Sequence, residues 1–282
     1  MQFDVADLRD FYARPLGLMV RRLLAHRIRA RWRRVSGETL IGLGFATPYL
    51  GSFRGEALRL GAMMPASQGA LVWPPAGDKL SVLVDEDHLP LPDNSVDRLL
   101  VVHALETAER ARPLLREMWR VLAPQGRLMM LVPNRRSVWA RSDSTPFGHG
   151  RPYSRNQLER LLAEAMFTPL EWSMALHVPP LEWRMVMRSA TAFERTGARL
   201  SPGLGGVILV EARKELMVPI GKASVTGALR RLAPVSSGHA AKEQTRAEAH
   251  SMDGAALQQE DGLLSENILD DQGRARRELP SR

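Results

Sequence analysis

Apolar positions along the chain recur with two periods, and the switches between them outline the elements. Over residues 7 to about 35, Leu16, Met19, Val20, Leu23, Leu24 and Ile28 return at three- and four-residue steps. That spacing predicts a helix with one apolar stripe and arginines between. The run ETLIGLGF (38–45) is short, apolar and closed by glycines, the pattern of a buried strand. Thr47 and Pro48 then make a helix start: threonine caps free N–H groups, and proline lacks an N–H where none is needed. YLGSFRGEALRL (49–60) continues that helix, weakened by Gly51 and Gly55. GAMMPA (61–66) and KLSVLV (79–84) read as strands. Between them, GALVWPPAGD (69–78) is strand or loop, closed by Pro74, Pro75 and Gly77.

The second half repeats the alternation. RLLVVHALE (98–106) is a buried strand, RARPLLREMWRVL (110–122) a helix, APQG a turn and RLMMLVP (127–133) a strand. Ser154 caps an amphipathic helix over 154–167. PLEWSMALHVP is a strand, residues 181–197 are mostly helical, and GGVILVEARKE (205–215) is the last strand. Alternating strands and helices predict an α/β domain over 37–221, with a parallel-dominated sheet and helices on both faces. Residues 1–36 form a basic amphipathic helix packed on that core. Residues 222–282 are polar, without sustained periodicity, and are expected to be disordered. In such sheets ligands bind beyond the carboxyl ends of the strands. That rule selects 44–48, 85–88, 103–106 and 133–153.

Composition narrows the classes. With 44% hydrophobic and 25% charged residues over 282 positions, a sizeable core is available. There is no cysteine, which removes disulfides, thiolate metal sites and cysteine nucleophiles. No apolar run approaches the roughly 20 residues of a membrane span. The opening MQFDVADLRDFYARPLGLM lacks the basic-then-apolar order of a signal peptide, so a soluble cytoplasmic protein is expected. The net charge of +8 is concentrated in VRRLLAHRIRARWRR (20–34). This stretch reads as a solvated helix face, or as a contact with an acidic partner or membrane surface. No nucleic-acid motif accompanies it.

Three segments together resemble the class I S-adenosylmethionine-dependent methyltransferases of the broad small-molecule (type 11) branch. They are LPLPDNSVDRLLVVHALE (89–106), LLREMWRVLAPQGRLMMLVPN (114–134) and LIGLGFATPYL (40–50), the last in the place of a glycine-rich cofactor turn. The resemblance implies a Rossmann-like sheet, mostly parallel with an antiparallel last strand, and S-adenosyl-L-methionine as cofactor. It places Gly44 at the central glycine of the turn. Gly42 stands where an acid is expected, and Ala46 and Pro48 where glycines are. AMMPA (62–66) holds no acid for the ribose. Asp85, with Glu86 beside it, matches the adenine-side acid, and Met63 and Trp73 are candidates for an apolar adenine wall. Gln125 replaces one glycine of the family's proline-glycine-glycine turn.

Methyl transfer is an in-line displacement in which alignment supplies much of the rate. His103, with Glu106 just beyond, is a candidate base toward a hydroxyl or amine acceptor. The loop FGHGRPYS (147–154) adds His149 and Tyr153 as candidates, with glycine on both sides of His149. Three functions follow: methylation of a small molecule, a methyltransferase fold that binds or regulates without catalysis, and RNA methylation. The third is supported by charge alone, because HALE stands where an N-P-P-Y motif of base methylation would fall.

Overall fold

Thr39–Gly44 lies third in a seven-stranded sheet, and its neighbours set the order of the rest. The computed structural model describes residues 3–215. Strands β1 (Thr39–Gly44), β2 (Arg59–Pro65), β3 (Ser81–Val84), β4 (Val96–Val102), β5 (Leu122–Pro133), β6 (Phe167–Ala175) and β7 (Val207–Lys214) form one sheet in the order β3-β2-β1-β4-β5-β7-β6. The first five pair in parallel, and β7 runs antiparallel between β5 and β6. The expected tail, 222–282, lies outside the described residues.

Period-two alternation splits the apolar side chains between two cores. Leu40, Ala62, Met64, Leu100 and Val102 pack beneath helices α1 (Val5–Ala13), α2 (Pro15–Arg31) and α3 (Thr47–Leu50). Ile41, Leu43, Met63, Leu99 and Val101 face α4 (Ala111–Val121) and α5 (Arg155–Glu164) on the other side. Strands buried on both faces read as continuous apolar runs, which is why β1, β4 and β5 stood out. Helices α6 (Arg184–Arg188) and α7 (Ala190–Leu200) complete the described chain.

Several elements differ from the expectation for identifiable reasons. The N-terminal helix is two helices. Arg14 is extended (ψ 160°), because proline disfavours the helical region for the residue before it, and Pro15 opens α2. The helix after β1 stops at Leu50, followed by a tight turn over Gly51–Phe53; Gly55 adopts φ +78°. Residues 69–78, read as strand or loop, form a loop. Its backbone bonds to a side chain instead of a neighbouring strand: Ser81 Oγ donates to Leu71 O (2.7 Å) and accepts from Trp73 N (2.9 Å). APQG does not separate helix from strand. It lies inside β5 as an irregularity, with Gln125 at φ +63° and a register shift against β4.

The basic face of α2 is largely engaged within the chain. Arg27 reaches Glu194 (3.3 Å), Arg31 reaches Glu171 (2.7 Å), and Arg29 pairs with Glu56. The Arg29 guanidinium holds the Glu56 carboxyl below its usual range. These contacts use up part of the charge that sequence alone offered to an acidic partner.

Candidate functional site

The carboxyl ends of β1 to β4 form one crevice with two different ends. At the β1–β4 end, Gly44 turns the chain at φ +79°. A side chain there would collide with the Val102 carbonyl oxygen and lie 2.9 Å from Ala104 Cβ. Phe45 N donates to that same carbonyl at 2.8 Å, which closes the turn against β4. Gly44 is therefore demanded by the neighbouring strand. Gly42 has a similar cause: a Cβ would sit 2.7 Å from Ala46 Cβ and from Leu50 Cδ1, so its absence lets α3 press on β1. Ala46 is fully buried in that contact.

Above this turn lies a buried polar chain. Tyr49 donates its hydroxyl proton to the Tyr12 oxygen (3.0 Å). The Tyr12 proton then goes to His103 Nε2 (2.9 Å), which leaves Nδ1–H to donate to Glu106 Oε1 (3.0 Å). His103 and Glu106 are each 2% exposed. His103 has φ +53°, a conformation in which its carbonyl meets Gln68 Nε2, while the same amide nitrogen donates to Thr107 Oγ1 (2.6 Å). Aromatic rings fill the remaining space. Phe45 stacks on Tyr12 with centroids 5.6 Å apart, and Phe147 lies 4.9 Å from the His103 ring. Burial, followed by the neighbouring Tyr49, pushes the Tyr12 phenol well above its ordinary value.

The β2–β3 end is open and acidic. Ala66, Ser67, Asp85, Glu86, Glu109 and Arg110 border a cleft of about 270 Å³. Glu86 Oε1 accepts from Glu109 N at 3.3 Å. Its Oε2 is buried and has no hydrogen-bond partner among the described residues. Burial, reinforced by Asp87, Asp85 and Glu109, raises the Glu86 carboxyl above its usual range. Asp85 is mostly exposed and holds its own turn, accepting from Asp87 N at 2.9 Å.

Two comparisons bear on this arrangement. Residues 66–130 match the family model described as "Methyltransferase domain". That match spans 65 residues, a segment that resembles a class I methyltransferase domain. Solved structures share its fold at a TM-score of 0.50: a SAM-dependent methyltransferase from Thermotoga maritima (16% identity, 75% of this chain and 96% of that one), and one from Archaeoglobus fulgidus (17%, 69% and 94%). A third is a chain of the Haloferax volcanii complex between the Trm112 methyltransferase activator and a candidate methyltransferase (21%, 67% and 88%, TM-score 0.50). At these identities the likeness establishes the sheet order, not an activity. No curated protein matches in sequence.

The chemistry of S-adenosylmethionine is matched by the residues present at one end of the crevice only. Glu86 Oε2, an unpartnered acceptor, and Ser67 suit the amine and hydroxyl donors of an adenosine. The other end does not suit a methionine moiety as it stands, because Tyr12, Gln68 and Phe147 pack against His103 beside the β1 turn. No carboxylate ends β2 at Pro65 either. Met63, a candidate for an apolar adenine wall, is buried in the core cluster shared with α4.

The structure brings His103 and Glu106 together and adds Tyr12, Tyr49, Gln68 and Phe147, which sequence reasoning passed over. They come from α1, α3 and two loops, and no periodicity joins them. His149 bonds Asp143 O (2.9 Å) and packs on Phe3. Tyr153 is buried with its hydroxyl toward Leu105 O (3.4 Å), and burial raises its phenol. The LPLPDNSVD segment is fastened by Arg120, which donates to Leu89 O and Leu91 O (both 2.9 Å) and pairs with Asp93 (2.6 Å) and Glu117 (2.8 Å). Among the described residues no helix is long and apolar enough to cross a membrane.

Proposed function

We propose that the chain binds S-adenosylmethionine, adenosine end first, at the acidic cleft after β2 and β3, and transfers its methyl group to a small-molecule acceptor. The observation that carries this reading is the orphaned Glu86 Oε2 at the cleft, in a sheet of methyltransferase order. A buried acceptor without a partner costs about 1–3 kcal/mol. A donor-bearing ligand would recover much of that. His103 is the residue placed to hold or pass a proton: Glu106 fixes its Nδ1–H, and Tyr12 occupies Nε2. His149 and Tyr153 stay with this proposal as residues of the loop beyond β5.

The filled β1–β4 end favours a second reading, a methyltransferase fold that binds without transferring. Burying Leu8, Phe11, Tyr12 and Leu16 of the N-terminal segment contributes about 1.5–3 kcal/mol each. A micromolar ligand supplies about 8 kcal/mol in total. Such a ligand can rotate Gln68 or Tyr12, but it cannot peel α1 from the domain. Calorimetry with S-adenosylhomocysteine decides the matter. Heat of binding that Glu86→Ala and Asp85→Ala diminish supports the cofactor reading. No heat at millimolar ligand removes it and leaves the second.

A further inference from the structure

A second cavity lies on the helical side of the β1 turn, apart from the acidic cleft. It measures about 580 Å³ and is bordered by α1, α2, α3 and the 69–78 loop. Tyr12, Leu18, Phe45 and Trp73 supply an apolar wall, and Arg9 and Arg21 stand at its margin. No carboxylate lines it. Arg9 pairs with its neighbour Asp10 at 2.8 Å, whereas Arg21 has no ion pair among the described residues. Leu18 and Val72 at the rim are 47% and 68% exposed, so apolar surface faces water where an internal partner would normally cover it. Volumes of about 300–1,000 Å³ with apolar walls and a few polar groups are typical of small-molecule sites.

We infer that this cavity is a binding site for a free amphiphilic anion, an apolar or aromatic body carrying one carboxylate, sulfonate or phosphate. The body lies against Phe45, Leu18 and Trp73, and the anionic head meets Arg21. Arginine suits such a head because its planar fork can donate two parallel hydrogen bonds to a carboxylate or phosphate. Tyr12 belongs both to this wall and to the His103–Glu106 chain, so an occupant sits one side chain away from that chain. The assignment goes beyond methyl transfer and holds whether or not a methyl group moves.

Fluorescence titration of the full chain with anilinonaphthalene sulfonate tests it, with uncharged N-phenylnaphthylamine as the matched probe lacking the sulfonate. Saturable binding of the sulfonate is expected, and Arg21→Ala should weaken it about tenfold, the size of one lost charge-assisted hydrogen bond. Arg21→Glu should weaken it further. Val72→Glu, an exposed rim position, should also weaken it, while Arg33→Ala, two residues beyond the end of α2, should leave it unchanged. The neutral probe should bind more weakly and ignore Arg21→Ala. Equal affinity for the two probes, or an Arg21→Glu chain that binds the sulfonate normally, overturns the proposal. Displacement of the dye by phosphatidylglycerol vesicles but not by monomeric decanoate would assign the arginines to a membrane surface and overturn it as well. None of these readouts involves S-adenosylhomocysteine, so this test can fail or succeed independently of the cofactor reading.

Discussion

The two ends of the crevice were built from the same strand-loop pattern and reached opposite outcomes. At the β1–β4 end the loops turn inward. Gly44, Phe45, Tyr12, His103 and Gln68 satisfy one another in a packed site, where Glu106 Oε2 is buried without a hydrogen-bond partner among the described residues. At the β2–β3 end carboxylates crowd an open cleft, and one of their oxygens has no partner. A protein interior settles its own polar groups wherever it can. Each end leaves one carboxylate oxygen unsettled, but only that of Glu86 borders an open cleft, where a ligand gains most. The contrast also separates two kinds of signal: Gly44 is needed to meet β4, whereas Glu86 is an unsatisfied carboxyl at an open cleft.

The largest expected effect probes the packed end. Gly44→Ala puts a Cβ against a backbone carbonyl in a left-handed conformation, and a loss of more than about 3 kcal/mol is expected in urea unfolding. Gly51→Ala, with open space and φ −55°, should change stability by less than about 1 kcal/mol in the same experiment. Near-equal effects would mean that the β1 turn is looser than its contacts indicate.

Next comes His103→Ala, which strands the Tyr12 hydroxyl and the buried Glu106 together. A loss of about 2–4 kcal/mol is expected, and Tyr12→Phe should cost about 1–2 kcal/mol. If His103→Ala costs no more than Tyr12→Phe, the chain through Glu106 is not a unit.

Gln68→Ala removes the bridge between the β2 end and His103. It should lower stability by about 1–2 kcal/mol while strengthening S-adenosylhomocysteine binding in calorimetry. Weaker binding would show that Gln68 holds the ligand rather than occupying its place.

The smallest effect belongs to the open end. Because the Glu86 carboxyl is raised in the folded chain, its proton is held more tightly there than in the unfolded chain. Its contribution to stability is present below the ordinary carboxylate pKa and is lost as pH rises through the raised value. Glu86→Gln should therefore raise Tm modestly at pH 7 and leave it little changed near pH 4. A Tm gain of the same size at both pH values would contradict the raised carboxyl.

Much of the fold was legible because its strands are buried on both faces and its turns carry Pro and Gly. LIGLG, RLLVV and RLMMLVP each became a strand of the expected parallel core, and Ser154 caps α5 through Gln157 as its position implied. The misread elements lie where local pattern competed with geometry. The stripe from Leu16 to Ile28 extends smoothly back into the first helix, but the steric demand of Pro15 on Arg14 divides the two. Helical spacing in 49–60 gave way to Gly51 and Gly55.

His103 with Glu106 was legible because three residues separate them along the chain, and so was the acidic run at 85–87. Tyr12, 91 positions from His103, was not.

By itself, then, the sequence determined the alternation of strand and helix, the buried central sheet, the missing acid at the end of β2 and the crowd of carboxylates after β3. These are properties of short windows, set by periodicity and residue type. Tertiary structure alone decided that the cofactor-like turn is closed by α1, that α2's arginines meet Glu194, Glu56 and Glu171, and that Arg21 borders a cavity without a counter-charge lining it. Each of those depends on chain segments tens of residues apart being brought within a few ångströms, where burial turns an ordinary tyrosine, glutamine or arginine into a plug, a bridge or an anion's partner.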